Sequence, residues 1–301
     1  MRIKKHSLSY HSMMLPGVIL LFIFSVVPMV GIYMAFLRYS PFAPFWGLGS
    51  TFVGWANFEF IFMRHPAAVQ VMINTVIIAI LKIIAMLIVP VTFAILLNEC
   101  LNVKLKRSIQ TIVYLPHFLS WVIAGAMFTQ ILAPMGMVNA FLLNVGLISE
   151  PIGFFTSDTW FRPIVIATDI WKSFGFSAVI YIAAITSIDL NLFEAAEIDG
   201  ANRWQKIKNI TVPCILPTII LMSTLALGGI LNAGFDQIFN LYNPMVYATG
   251  DIIDTFVFRV GIEQAQYHIA TAVGLVKSFV SMILIIISWF LANKFAGYRI
   301  F

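Results

Sequence analysis

Apolar residues fall in six long blocks, roughly 13–36, 74–97, 109–131, 163–185, 210–231 and 269–291, and most of the charge lies between them. Each block exceeds 20 residues. At about 1.5 Å of rise per residue, a helix of that length crosses the roughly 30 Å hydrocarbon layer of a membrane. A membrane barrel would alternate apolar and polar residues in segments of about ten, and no such alternation runs through these blocks. The pattern predicts an all-α membrane protein with six transmembrane helices, forming one transmembrane domain over 1–301.

Composition supports that class. Hydrophobic residues make up 60% of the 301 residues and charged residues 10%, against about 25% charged in ordinary soluble domains. This excludes soluble globular and disordered chains, which need more polar surface or fewer apolar residues. Arg2, Lys4 and Lys5 precede the first block, as in a signal peptide. That block is too long for a signal core and lacks a small-residue cleavage site, so it is read as the first span. Cys100 and Cys214 make no spacing for a disulfide framework or metal site. His6, His11, His65, His117 and His268 are scattered, with no pair at helical ligand spacing.

The basic residues set an orientation. Six spans put both ends on one side. Arg2, Lys4, Lys5, Lys104, Lys106, Arg107, Arg203, Lys206, Lys208, Lys294 and Arg299 fall on that side, 11 of the 18 Lys and Arg. Arg38, Arg64, Arg162 and Arg259 fall on the other, and Lys82, Lys172 and Lys277 lie within spans. The positive-inside rule therefore predicts cytoplasmic termini. The net charge of +5 follows from topology and gives no reason to invoke nucleic acid. The outer loops are long and aromatic, for example 39–46 and 240–244. They suit either interfacial anchoring or contact with an outside partner.

The loop after the fourth span, 186–209, carries local structure. Asp189 or Asn191 can cap a short helix. Leu192, Phe193, Ala196 and Ile198 give it an apolar side, and Gly200 can end it. Pro213 and Pro217 are expected to open the next span. Such a helix suits either a groove on a partner protein or the lipid surface.

Here Glu194-Ala195-Ala196 is followed after three residues by Gly200, after nine more by Ile210, and then by Val212-Pro213. That spacing resembles the signature loop of permease subunits of binding-protein-dependent ABC importers, with Val212 replacing a leucine. Asp199, Ala201 and Pro217 fit the sugar-transporter form. The stretches Trp171–Gly175 and Phe235–Pro244 resemble the maltose-type, oligosaccharide and polysaccharide subgroup.

The resemblance implies the type I ABC importer permease fold, in the bacterial cytoplasmic membrane. It further implies a coupling helix at roughly Leu190–Gly200, with Glu194, Ala195, Ala196, Asp199 and Gly200 at an ATPase subunit. The implied assembly has a second homologous permease, two ATP-binding subunits and an extracytoplasmic solute-binding protein. Its substrate is an oligosaccharide. The chain itself would be no enzyme and hold no cofactor, with ATP and magnesium on the ATPases.

Ionisable residues within spans are expensive and mark candidate function. Asp169 and Lys172 stand three apart and can pair, and Ser173 and Phe176 extend their face. Such a strip suits a sugar, whose hydroxyls need donors and acceptors and whose ring stacks on an aromatic. A fastening pair without substrate contact is the other reading. The resemblance adds Asn232, Phe235 and Asp236 at the outer end of the fifth span, with Asn232 and Asp236 one turn apart. Lys82 and Lys277 have no obvious partner nearby in sequence. They can pair with Asp169 or Asp236, line the path, or favour an anionic sugar. An ion-coupled secondary sugar carrier is the alternative within transport, but no internal repeat supports it. An intramembrane enzyme would need a nucleophile–base or metal group, and Cys214, His117 and Asp169 fall in different spans.

Overall fold

The computed structural model describes residues 3–40 and 50–296. The aromatic run 41–46, Arg2 and Arg299 lie outside the described residues. In chain order the helices are α1 (Ile3–Leu21), α2 (Ala56–Glu59), α3 (Ala68–Asn98), α4 (Val103–Tyr114), α5 (Trp121–Ile131), α6 (Met137–Asn144) and α7 (Asp158–Thr186). They continue as α8 (Leu190–Ile198), α9 (Arg203–Lys206), α10 (Val212–Gly228), α11 (Phe235–Leu241), α12 (Tyr247–Gly250), α13 (Ile253–Phe258) and α14 (Tyr267–Ala296). One short antiparallel ladder pairs β1 (Leu37–Arg38) with β2 (Thr51–Phe52), Leu37 opposite Phe52.

Five helical stretches are long and apolar enough to cross a membrane: Tyr10–Phe36, Ala68–Asn98, Asp158–Thr186, Arg203–Gly228 and Tyr267–Phe290. A bent pair makes a sixth candidate when its two helices are taken as one span: Val103–Phe118 and Trp121–Ile131 meet at 102°, so the third span expected over 109–131 is not one continuous helix. The cause is local. Pro116 lacks an amide donor, and Leu119 and Ser120 are extended, with ψ of 139° and 153°. The Ser120 hydroxyl then accepts from the Ile123 amide at 3.3 Å and starts α5 as its N-cap.

The fifth crossing is displaced from the expected 210–231. A capping box between Asn202 and Gln205 starts the helical run at Arg203. Pro213 and Pro217 consequently lie inside a helical run rather than at its opening, a second correction. A π turn at Ile207–Thr211 makes this possible. The Val212 amide reaches back to the Ile207 carbonyl just before Pro213, which has no amide to donate.

The chain divides into two compact units. The first joins Met1–Pro66 to Phe256–Lys277. In it the Asn57 amide donates to the carbonyls of Ala35 and Leu37 at 2.8 and 2.9 Å, fastening α2 to the ladder. His65 meets Phe256 edge-on at 5.1 Å, and burial, then the Arg259 charge, hold its imidazole pKa below the ordinary value. Met13, Leu21 and Phe24 of the first crossing are all strongly exposed. In a membrane such a face meets lipid or another subunit.

The second unit joins Ala67–Thr255 to Ser278–Phe301. Its core lies where α3, α7 and α11 meet, with Ile78, Phe161, Val165, Ile238 and Val246 fully buried. A second cluster joins Ala94, Ala178, Tyr181, Ile185 and Ile215. Asn74 fastens α3 to the stretch 248–251. Its amide donates to the Ala248 and Asp251 carbonyls at 3.0 and 3.1 Å, while its oxygen accepts from Arg162 and Gln70 at 2.8 and 2.9 Å. A fully buried amide is tolerated here because its donors and its acceptor all find partners.

Candidate functional site

The second unit contains a cleft of about 390 Å³ between α3, α7 and α10. Its polar lining is Lys82, Asp169, Ser177, Tyr181 and Asn232, and Met86, Met222 and Ala226 are among its apolar walls. Lys82 Nζ lies 3.7 Å from Asp169 Oδ2, in an ion pair. It also donates to the Ala233 carbonyl at 2.7 Å and to Gln237 Oε1. Gln237 is fully buried, and its Nε2 donates to the Val165 carbonyl at 2.6 Å and to Thr168 Oγ1 at 2.8 Å. Three helices and one chain break thus meet at a single ammonium.

The expected pairing of Asp169 with Lys172 does not form. Lys172 Nζ instead donates to the His117 carbonyl at 2.8 Å and lies over the Trp121 ring, 5.5 Å from its centroid. Phe176 stacks flat on His117 at 4.1 Å. A Cβ on Gly175 would overlap the Val113 carbonyl, so α7 and α4 touch backbone to backbone. The reason for the correction is the helix break. Past Pro116 the terminal carbonyls of the broken span lose their intrahelical partners, and a cation satisfies one of them. Lys172 and Phe176 therefore belong to the knee between α4 and α5, while Asp169 faces the cleft. Ser173 is half-buried beside Lys172.

The outer end of the fifth crossing also differs from expectation. The helix stops at Gly228, and Gly234 adopts φ +95° before α11 begins. Asn232 lies in the break and Asp236 in the first turn of α11, so they are not one turn apart on a single helix. A Cβ on Gly234 would stand 2.9 Å from Lys82 Nζ. The dihedral favours glycine here, and a side chain would in addition push on the end of Lys82. Phe235 stacks on Phe239 at 5.3 Å. Lys277 lies in α14 within the first unit. Of the expected sugar-path residues, Asp169 and Asn232 share the cleft. Lys82 also lines the cleft, and its pairing with Asp169 is one of those expected for it. Ser177 and Tyr181 of the lining, and Gln237, which holds Lys82, were not expected, and no charge or motif in the sequence marks them.

The other feature is α8. The Asp189 carboxylate caps it by accepting from the Asn191 amide at 3.0 Å. At its far end the Gly200 amide donates to Glu197 O at 3.0 Å and the Ala201 amide to Ala196 O at 2.9 Å. With Gly200 at φ +77°, this is a Schellman stop. No residue of α8 is buried, and Leu190 and Ile198 are 72% and 88% exposed. Glu194 and Ala195 are exposed, and Ala196 is half-buried. Asp199 is the C-cap residue. Lys206 pairs with Glu197 at 2.5 Å, tying α8 to α9. That hydrogen bond, and then the Lys206 charge, hold the Glu197 carboxyl pKa below its ordinary value.

Residues 91–296 match the family described as binding-protein-dependent transport system inner membrane component. The chain is 37% identical over 284 residues to protein LplB of Bacillus subtilis strain 168, covering 94% of this chain and 88% of that protein. It is 38% identical over 284 residues to the polygalacturonan/rhamnogalacturonan transport system permease protein YteP of the same organism, covering 94% and 87%. A chain in the crystal structure of a bacterial alginate ABC transporter, in complex with an alginate pentasaccharide-bound periplasmic protein, superposes with a TM-score of 0.89. The two are 36% identical over 99% of this chain and 98% of that one. The helical membrane fold is accordingly that of ABC importer permeases. The chain belongs to the family of binding-protein-dependent transport system inner membrane components, and is a multi-pass membrane subunit of transport rather than a catalytic one.

Proposed function

We propose that this chain is one of two homologous permeases that together carry an oligosaccharide inward across the cytoplasmic membrane. Two ATPase subunits bind ATP and magnesium and drive the cycle, and an extracytoplasmic binding protein delivers the sugar. The observation that carries this reading is α8, a capped helix with a Schellman stop and no buried residue, bearing Glu194-Ala195-Ala196. An apolar helix left uncovered by its own chain suits a groove on another protein. The distribution of basic residues supports cytoplasmic placement for that helix and for both termini.

The cleft at Asp169 and Asn232 is the proposed sugar contact of this chain. The relatives support an acidic polysaccharide fragment as the substrate class, because polygalacturonan, rhamnogalacturonan and alginate all contain uronic acids. Lys82 and Lys172 do not add to that support, since each is committed to partners of the chain. The deciding experiment reconstitutes the permease pair and ATPases in proteoliposomes. Sugar-loaded binding protein should stimulate ATP hydrolysis and uptake, and cysteine at Ala195 should cross-link to the ATPase chain. Uptake driven by an ion gradient without ATP would refute the reading.

A further inference from the structure

Lys82 has three N–H donors. Two are spent on the Ala233 carbonyl and on Gln237 Oε1. Gln237 is itself fixed to α7 through Val165 and Thr168. The ammonium is therefore locked in place, and at 3.7 Å its contact with Asp169 is electrostatic rather than a hydrogen bond. The two partners differ in access. The Asp169 side chain is 22% exposed and that of Lys82 is 10%. The ionised groups among the described lining residues are this one cation and this one anion.

We infer that Lys82 is a positioning residue for the transported sugar, holding Asp169 at the cleft wall as a hydroxyl acceptor and cancelling its charge, so that the cleft receives an uncharged hydroxyl face. This rests on the proposal that the chain moves an oligosaccharide through the cleft. A carboxylate entering there finds no cation to pair with, because the one ammonium of the lining is already engaged by Asp169, Ala233 and Gln237. A sugar hydroxyl needs no cation. It donates to a carboxylate oxygen, a charge-assisted bond, beside the Asn232 amide in the same cleft. The acidic groups of a uronate chain would then be accommodated elsewhere along the path.

The test uses the complete reconstituted transporter with its binding protein, and two probes of equal length, an oligogalacturonate and its methyl ester. Uptake KM and kcat are measured for the wild type, Asp169→Asn, Lys82→Arg and Lys82→Met. Asp169→Asn keeps the shape and every hydrogen bond of Lys82, and should raise KM for the ester about tenfold. Lys82→Met should raise KM for both probes about tenfold at similar kcat, and Lys82→Arg should recover most of that loss. If Lys82→Met does not assemble, Asp169→Asn decides. An unchanged ester KM in Asp169→Asn overturns the inference and makes the pair a fastening only. A loss in Lys82→Met confined to the acid, with the ester KM unchanged, also overturns it, because Lys82 would then not hold Asp169 for a hydroxyl. If the wild type moves neither probe while other sugars are carried, the acidic substrate class fails, and the same variants measured with a carried neutral sugar decide this inference, an unchanged KM in Asp169→Asn overturning it. Wild-type uptake with unchanged variants removes this inference alone.

Discussion

The Nζ of Lys172 donates to the backbone carbonyl of His117, 2.8 Å away, at the knee where the third crossing turns by 102°. A carbonyl released from a helix inside a membrane has no water to turn to, so its partner must come from the protein. Lys172→Met should leave that carbonyl unsatisfied and cost about 1–3 kcal/mol. The expected result is a lower yield of assembled complex and a lower thermal midpoint. Asp169→Leu should not rescue it. Recovery of assembly in the double variant would mean that the two side chains do pair.

The same knee depends on close approach. A Cβ added at Gly175 overlaps the Val113 carbonyl, whereas one added at Gly228 meets nothing nearer than Ile285 at 3.8 Å. Gly175→Ala should therefore destabilise the subunit by about 1–3 kcal/mol, the usual cost of overpacking. Gly228→Ala should be close to neutral. Thermal unfolding of the two variants in detergent distinguishes them, and equal midpoints would contradict the close approach.

At Gly200 the restriction is conformational. Its φ is +77°, and no neighbouring atom lies within 4 Å of the position a Cβ would take. The cost of a side chain here is therefore strain in the residue's own backbone, about 1–2 kcal/mol for a residue with a Cβ. Gly200→Val should loosen the end of α8 and reduce sugar-stimulated ATP hydrolysis, with membrane insertion unaffected. Gly200→Asn should retain more stimulation, because asparagine tolerates the left-handed region. Normal uptake in Gly200→Val would remove the argument for this turn.

Much of the architecture is legible in the sequence, because a membrane demands long apolar runs and basic flanks. The end of α8 is also legible, since glycine after an Ala-rich turn is a local signal. The knee is not, because 109–131 carries no Asp, Glu, Lys or Arg to divide it. Pro116 marks the break, but a proline alone does not tell a kink from a right-angled turn. The cleft was the hardest part. Asp169 and Lys172 have the spacing of a helical pair, yet Lys172 finds His117, 55 residues away, and Lys82 finds Gln237, 155 residues away. Tertiary partners outcompeted the local one because each satisfied a polar group that burial would otherwise have stranded.

Orientation gives a further prediction. Single cysteines at Lys104 and Arg203, both exposed, should react with a membrane-impermeant reagent only from the cytoplasmic side. A cysteine at Glu150, also exposed, should react only from outside. Labelling of intact cells and inverted vesicles checks this, and a reversed pattern would invert the topology assigned from the basic residues.

The π turn at Ile207–Thr211 lies between two parts of one helical run. Above it α10 supplies Met222 and Ala226 to the cleft, and below it α9 is tied through Lys206 to α8. A π turn holds one residue more than a regular turn, which rotates everything beyond it by about 100° around the axis. The angular phase between the cleft wall and the docking helix is therefore set by a single residue. Deleting one residue there would preserve every side chain at both ends and still turn one end away from the other, as a key cut correctly but seated a quarter-turn out.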